Sequence, residues 1–351
     1  MKKHHLLFII PALLILASYS AIGRVGWELP IPEVAAKHGF YMVSGLFGTL
    51  ISFERTLILK NRLWHSIPLL SIVSVALVFL EITTVGFAVQ GLSALLLATL
   101  YFTQWLRHKE VFLLALTLSG LAWMTSGIVL AIGRGFAAAS IWLILFLLYT
   151  IVAERLELSK FITTPKWAKP LLLLFFILLF AAQAIPFHWG TNHISGILIA
   201  ATGFWLLQFD MATKNLSKSG FFYFTGSTLY SGFVWLMISG ILMSFPLQTF
   251  YHYDAVLHAF FIGFAFSMIY AHAPIIFPAL LKIRKTPFHK KLYIPVWATH
   301  VLLLLRLYAD YSVNWPLRKW TGLFQVVFML MFFASFAVLM FRKNKSSHAR
   351  Q

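Results

Sequence analysis

Apolar runs of about 20 residues divide this chain almost from end to end, near 6–22, 34–57, 66–81, 84–106, 110–132, 136–157, 168–187, 191–211, 220–244, 255–280, 291–310 and 317–341. A run of that length crosses a bilayer as a helix, because in lipid every backbone N–H and C=O has to find its partner inside its own segment. Hydrophobic residues reach 60% and charged residues only 11%, more apolar surface than one soluble core buries. The pattern predicts an all-α polytopic integral membrane protein, a single membrane domain over 1–351, with twelve transmembrane helices and the lipid bilayer as its first partner.

The net charge of +18 does not form one patch, which argues against nucleic acid; the basic residues fall in alternate loops. With the N-terminus inside, of the 28 Lys and Arg only Arg24, Lys37, Arg134, Arg306, Arg318 and Lys319 fall on the outer side. That asymmetry predicts an even number of crossings, both termini cytoplasmic, and residence in a bacterial inner membrane. Met1-Lys2-Lys3 ahead of 6–22 has the shape of a signal peptide, with Ala17 to Ala21 readable as a cleavage site. The end of that run recurs inside the chain, so the run is read as a retained span. There is no cysteine, which excludes disulfides, iron–sulfur clusters, thiolate metal sites and covalent c-type haem attachment.

Short motifs repeat four spans apart. Ser119-Gly120-Leu121-Ala122-Trp123 with Ser126-Gly127-Ile128 matches Ser231-Gly232-Phe233-Val234-Trp235 with Ser239-Gly240-Ile241. Ala21-Ile22-Gly23-Arg24 returns as Ala131-Ile132-Gly133-Arg134, and Glu54-Arg55 as Glu154-Arg155. These predict three four-helix units, 1–108, 109–215 and 216–345, in a pseudo-threefold arrangement that makes spans 2, 6 and 10 equivalent.

Two of those spans open alike. His38-Gly39-Phe40-Tyr41-Met42-Val43-Ser44-Gly45 and His258-Ala259-Phe260-Phe261-Ile262-Gly263 each set a histidine at the outer end of a long apolar helix, ahead of aromatics and a glycine that lets a flat ring approach. Both spans run inward, so the histidines share a depth. Neutral imidazole is a usual ligand of membrane-embedded b-type haem, and an ionisable group in lipid is costly unless it has a task. Interfacial histidines bonded to headgroups or a carbonyl are the plainer alternative. His272 is 14 residues beyond His258, roughly 21 Å along a helix, so the two do not share one metal. With Pro274 and Pro278 after it, His272 reads as a structural group satisfying carbonyls freed at a bend.

Other polar groups are candidates of lower rank. His188, His193 and His252, in outer loops with Asp254 nearby, have the donors of a copper, zinc or iron site, or of a plain interfacial belt. Arg306 and Asp310 are one turn apart and predict an ion pair. Arg306, Arg318 and Lys319 are candidates for holding haem carboxylates through charge-assisted hydrogen bonds. Glu54 and Glu154 read as anchors beside their arginines.

These features resemble the haem–copper oxidase superfamily, and within it the divergent NnrS-like proteins. The resemblance implies twelve helices in pseudo-threefold order, a low-spin haem between helices 2 and 10 at His38 and His258, and a basic pair on its propionates where Arg318-Lys319 stands. It covers the whole topology, although its specific motifs are few, around His38 and from Leu257 to Met268. Span 6 lacks the copper-binding histidine of oxidases, and nothing matches their second helix-10 histidine, so a complete oxygen-reducing centre is not expected. The resemblance implies a b-type haem, with copper as a second metal, in electron transfer from an electron donor or in the response to nitric oxide or another diatomic gas. The competing readings are a cofactor-free transporter of a metal or small anion, and a scaffold protein with incidental histidines.

Overall fold

The computed structural model of the chain describes residues 3–57, 59–158, 164–185, 193–246, 249–280, 283 and 286–341. Among these all regular structure is helical. In chain order it runs α1 Lys3–Arg24; a π-helical stretch Phe40–Gly48 continued by α2 Thr49–Leu57; α3 Ser66–Phe79; α4 Thr83–His108; α5 Val111–Ala131; α6 Gly135–Leu158. Then follow α7 Ala168–Ala181; α8 His193–Phe209; the short α9 Ala212–Asn215; α10 Phe221–Met243; and α11 Phe250–His258, which passes through a second π-helical stretch, Ala259–Ala265, into α12 Phe266–Leu280. The last helices are α13 Tyr293–Tyr311 and α14 Trp315–Phe341.

Among the described residues eight helical segments are long and apolar enough to cross a membrane: Arg62–Phe79, Thr83–His108, Val111–Ala131, Gly135–Leu158, Phe221–Met243, Phe250–Ala279, Lys290–Tyr311 and Trp315–Phe341. Phe8–Arg24, Ala168–Ala184 and His193–Phe209 are apolar but shorter. This is the build of a multi-pass membrane protein. The centre of the bundle is α6, whose residues Ile144 to Tyr149 are all fully buried, as expected of a helix that is apolar on every side. At the periphery α14 turns Phe324, Val327, Val338 and Phe341 outward, a face suited to lipid chains.

Helix contacts can be followed along α3 to α4 to α5 to α6, along α7 to α8 to α10 and on to the second π-helical stretch and α12, and along α13 to α14 to α1 to the first π-helical stretch; α3 also packs on the first π-helical stretch and α2, and α13 on α11 and the second. The contacts of α4 with α5 and of α8 with α10 cross the unit boundaries that the repeats suggest at 108 and 215. The cause lies in small residues within the repeats themselves. A Cβ at Gly120 would sit 2.8 Å from the Ala98 backbone on α4, one at Gly127 2.9 Å from the Gly91 nitrogen, and one at Gly240 2.3 Å from the Ala200 nitrogen on α8. Helices in lipid associate through such close backbone approach, so Gly120 and Gly127 bind α5 to α4 and Gly240 binds α10 to α8, while Gly232 packs on Ser267 and Met268 of α12.

The tryptophan of the same motif closes on the next span. Trp123 stacks on Phe146 of α6 at 4.8 Å and donates to Ser44 Oγ at 3.1 Å, while Trp235 covers Gly263 and donates to His300 Nδ1 at 3.0 Å. A Cβ on Gly263 would come within 2.5 Å of Trp235 Cγ, the rigid root of the indole. Gly263→Ala is therefore expected to destabilise the protein by about 1–3 kcal/mol through overpacking. A lower unfolding temperature of the detergent-solubilised variant is the readout; an unchanged one contradicts the packing described.

Candidate cofactor site

Both histidine-bearing helices change from their ordinary winding at the same place. His38 stands between a 3₁₀ turn, Pro32–Lys37, and the first π-helical stretch; His258 closes α11 directly before the second. A π-helical turn widens the helix, and such turns gather at functional sites. Here they directly follow, in the chain, the two histidines that the sequence pairs, and His38 and His258 line one cavity of about 560 Å³.

Each imidazole is oriented through Nδ1. His258 Nδ1 bonds the Asp254 carbonyl oxygen at 2.8 Å and lies 3.3 Å from Asp254 Oδ2; His38 Nδ1 faces Ser20 Oγ at 3.5 Å. Neither Nε2 has a hydrogen-bond partner among the described residues, which is the arrangement of an imidazole whose second nitrogen is reserved for a metal. The walls are mainly apolar, with Phe47, Phe261 and Phe266 among them, and Gly39 and Gly322 contribute no side chain. Gln325 also lines the cavity, with neither amide atom partnered although the residue is only 4% exposed. Two available imidazoles, aromatic walls and a few buried polar atoms form a donor set and a cradle that fit a flat macrocycle such as haem.

The cations are not arranged as the local spacing suggests. Arg306 lines the cavity, but its NH2 bonds Asp254 Oδ2 at 2.8 Å rather than Asp310 one turn away. Arg318 NH2 takes the same Asp254 oxygen at 2.9 Å, and Arg318 Nε bonds Asp310 Oδ1 at 2.9 Å. All four residues are between 0 and 5% exposed. Arg318 is thus engaged by two carboxylates, and Lys319 lies 4.3 Å over the Trp27 ring, outside the cavity lining. The basic group that sequence reasoning missed is Arg24. It lines the cavity mouth, is exposed, and touches the Phe250 ring at 5.3 Å with no acidic partner among the described residues. Its repeat with Arg134 was visible, but nothing local indicated what it faces.

The outer histidines are not brought together at this cavity. His188 lies outside the described residues. His193 is exposed and bonds the Ser244 carbonyl through Nδ1, and His252 stacks on Tyr311 at 4.5 Å. Neither lines the cavity, and among the described residues no three His, Cys, Asp or Glu side chains form a metal-binding group.

A second polar cluster joins α2, α6, α12 and the turn after α8, away from this cavity. Arg155 holds Asp210 through two bonds, Nε to Oδ2 at 2.7 Å and NH2 to Oδ1 at 2.6 Å. Its NH1 approaches His272 Nε2 at 3.3 Å, while His272 Nδ1 bonds the Met268 carbonyl at 2.7 Å. Arg55 pairs with Glu154, so the equivalent Glu-Arg motifs are cross-linked rather than self-paired. The carbonyl that His272 takes is that of Met268, not one freed by Pro274 or Pro278.

No curated protein and no solved structure matches the chain. Residues 4–341 match the family described as Domain of unknown function (DUF8744). Since that match runs over nearly the full length, the chain belongs to the DUF8744 family.

Proposed function

We propose that this chain is an NnrS-like membrane haem protein, in which His38 and His258 would hold one b-type haem. The observation that carries the reading is their convergence on one cavity, each with Nδ1 engaged by the chain and Nε2 left available. Haem supplies one-electron redox chemistry and an iron able to take a diatomic gas. The chain's own residues do the rest. Phe47, Phe261 and Phe266 exclude water from the ring, and Asp254 holds His258 in one tautomer.

Arg24 and the free edge of Arg306 lie where carboxylates at the cavity mouth would be met. Arg318 acts from behind, by fixing Asp254, and Lys319 takes no direct part. The reading includes twelve crossings. The eight long helices, the three shorter apolar ones and the His38-bearing segment support that number, and the three packing runs support a pseudo-threefold order in which spans 2, 6 and 10 correspond. Both termini are placed in the cytoplasm and the protein in a bacterial inner membrane, on the asymmetry of Lys and Arg.

The test is a reduced-minus-oxidised spectrum and pyridine haemochrome assay on protein purified after expression with adequate haem. A low-spin b-type spectrum is expected, with one haem per chain, and either His38→Ala or His258→Ala removes its low-spin character while His272→Ala does not. A folded, colourless protein overturns the reading and leaves the cavity to a small anion met by Arg24 and Arg306.

A further inference from the structure

The Glu-Arg motif occurs on α2 and again on α6, and its four side chains do not all find partners. Arg155 is matched by Asp210 through two bonds, and Glu154 by Arg55. Glu54 is the one left over. Among the described residues its carboxyl has no hydrogen bond and no ion pair, and on a helix it does not face Arg55, its immediate neighbour.

The charges in this cluster do not balance. Glu54, Glu154 and Asp210 bring three carboxyls against two guanidiniums, Arg55 and Arg155. His272 adds no charge: with Nδ1 donating to the Met268 carbonyl, its Nε2 is the acceptor for Arg155 NH1, which is the bonding of a neutral ring. Lys60 and Arg62 beyond α2, Arg107 and His108 at the end of α4 and Glu157 at the end of α6 are exposed, and His65 is half-buried; among the described residues none is an ion-pair partner of Glu54. α3 has no ionisable side chain. The groups that act most on Glu54 are the Glu154 carboxylate and then Arg55. A carboxylate beside another carboxylate is ionised only at a cost, and Glu54 is half-buried as well.

Two further polar atoms face the same place without partners. Tyr101 of α4 is 1% exposed, its hydroxyl is unbonded, and the charges around it are Arg55, Glu154 and Glu54. Arg55 Nε is buried and unbonded too. A metal ion does not answer the surplus, since among the described residues no three His, Cys, Asp or Glu side chains form a group that could hold one. Water reaches the cluster, because the side chains of Arg55 and Glu154 are 21 and 27% exposed.

We propose that Glu54 is a proton-binding site, whose carboxyl takes one exchangeable proton from water and so brings the cluster to neutrality, with the Tyr101 hydroxyl as the free group facing it. Uptake forms one O–H bond on a Glu54 oxygen and takes the cluster from one negative charge to none; no electron moves. Because Arg55 of α2 is bonded to Glu154 of α6, the proton alters the charge at the joint between these two helices, which then responds to pH. The inference is independent of what fills the cavity.

The test is infrared spectroscopy of the full-length, detergent-solubilised protein, wild type beside Glu54→Gln. At neutral pH wild type is expected to show the carbonyl band of a protonated carboxylic acid that Glu54→Gln lacks. That band is expected to move in heavy water and to give way to carboxylate bands as the pH is raised. Glu154→Gln leaves two carboxylates against two guanidiniums, so the same band is expected to be lost there, while Tyr101→Phe is expected to shift its position. An identical band in wild type and Glu54→Gln at every pH overturns the proposal, as does a band that Glu154→Gln leaves in full. If Glu54→Gln does not fold, the comparison of wild type with Glu154→Gln decides in the same way.

Discussion

Asp254→Ala is expected to destabilise the protein by about 3–5 kcal/mol, because it leaves the buried guanidinium of Arg306 without its carboxylate and that of Arg318 with Asp310 alone. One carboxylate oxygen, Oδ2, accepts from both arginines. The measurement is thermal unfolding of the detergent-solubilised variant beside Asp254→Asn. The asparagine retains an oxygen for one arginine, and its loss is expected to be smaller. Equal unfolding temperatures for Asp254→Ala and wild type would mean that the two arginines find solvent, contrary to their burial at 3 and 2% exposure. The backbone carbonyl that orients His258 survives both substitutions, so a fall in stability with His258 still in place separates the ion network from the ligand.

Arg155→Met carries a comparable expected loss, about 3–5 kcal/mol, at the opposite end of the bundle. It strips Asp210, 3% exposed, of a two-bond partner and leaves His272 Nε2 bare. The double variant Arg155→Met with Asp210→Leu is expected to recover a large part of that loss, since a buried pair removed whole costs less than half of one left behind. A double variant as unstable as the single one would show that Arg155 stabilises chiefly through His272 and its α12 neighbours. The four-corner comparison of unfolding temperatures measures this directly.

Much of the fold could be read from the chain because lipid leaves the backbone few choices: an apolar run long enough to cross becomes a helix. The exceptions are informative. The runs expected at 168–187 and 191–211 yield α7 and α8 of 14 and 17 residues, below the length that by itself identifies a crossing. The π-helical stretches had no sequence mark, because a wide turn is decided by what packs against it, here Trp123 over Gly48 and Trp235 over Gly263. Those tryptophans were visible as a repeat, but their glycine partners lie in other spans.

The candidate site divides in the same way. His38 and His258 were legible as a pair because their surroundings repeat, and the structure sets both at one cavity. Arg306 was paired by spacing with Asp310, yet its hydrogen-bond partner is Asp254, a contact spanning 52 positions. Local spacing sees a turn of helix and is blind to a neighbouring helix. The support of His38 was likewise hidden, since the residues that meet it, Ala17 and Ser20, lie on another span.

The wide turn after His38 also sets an angular register. Each residue of an ordinary helix advances its neighbours by about 100°. Removing a single residue between Phe40 and Gly48 would therefore swing Arg55 about 100° away from Glu154 if His38 stayed in place, or swing His38 off the cavity if the inner pair stayed. The π-helical stretch works as a phase adjuster between the two ends of one helix, letting the imidazole at one end and the ion pair at the other face their separate partners at once. Length changes in this segment are thus expected to uncouple the two ends, even where every side chain named at either end is kept.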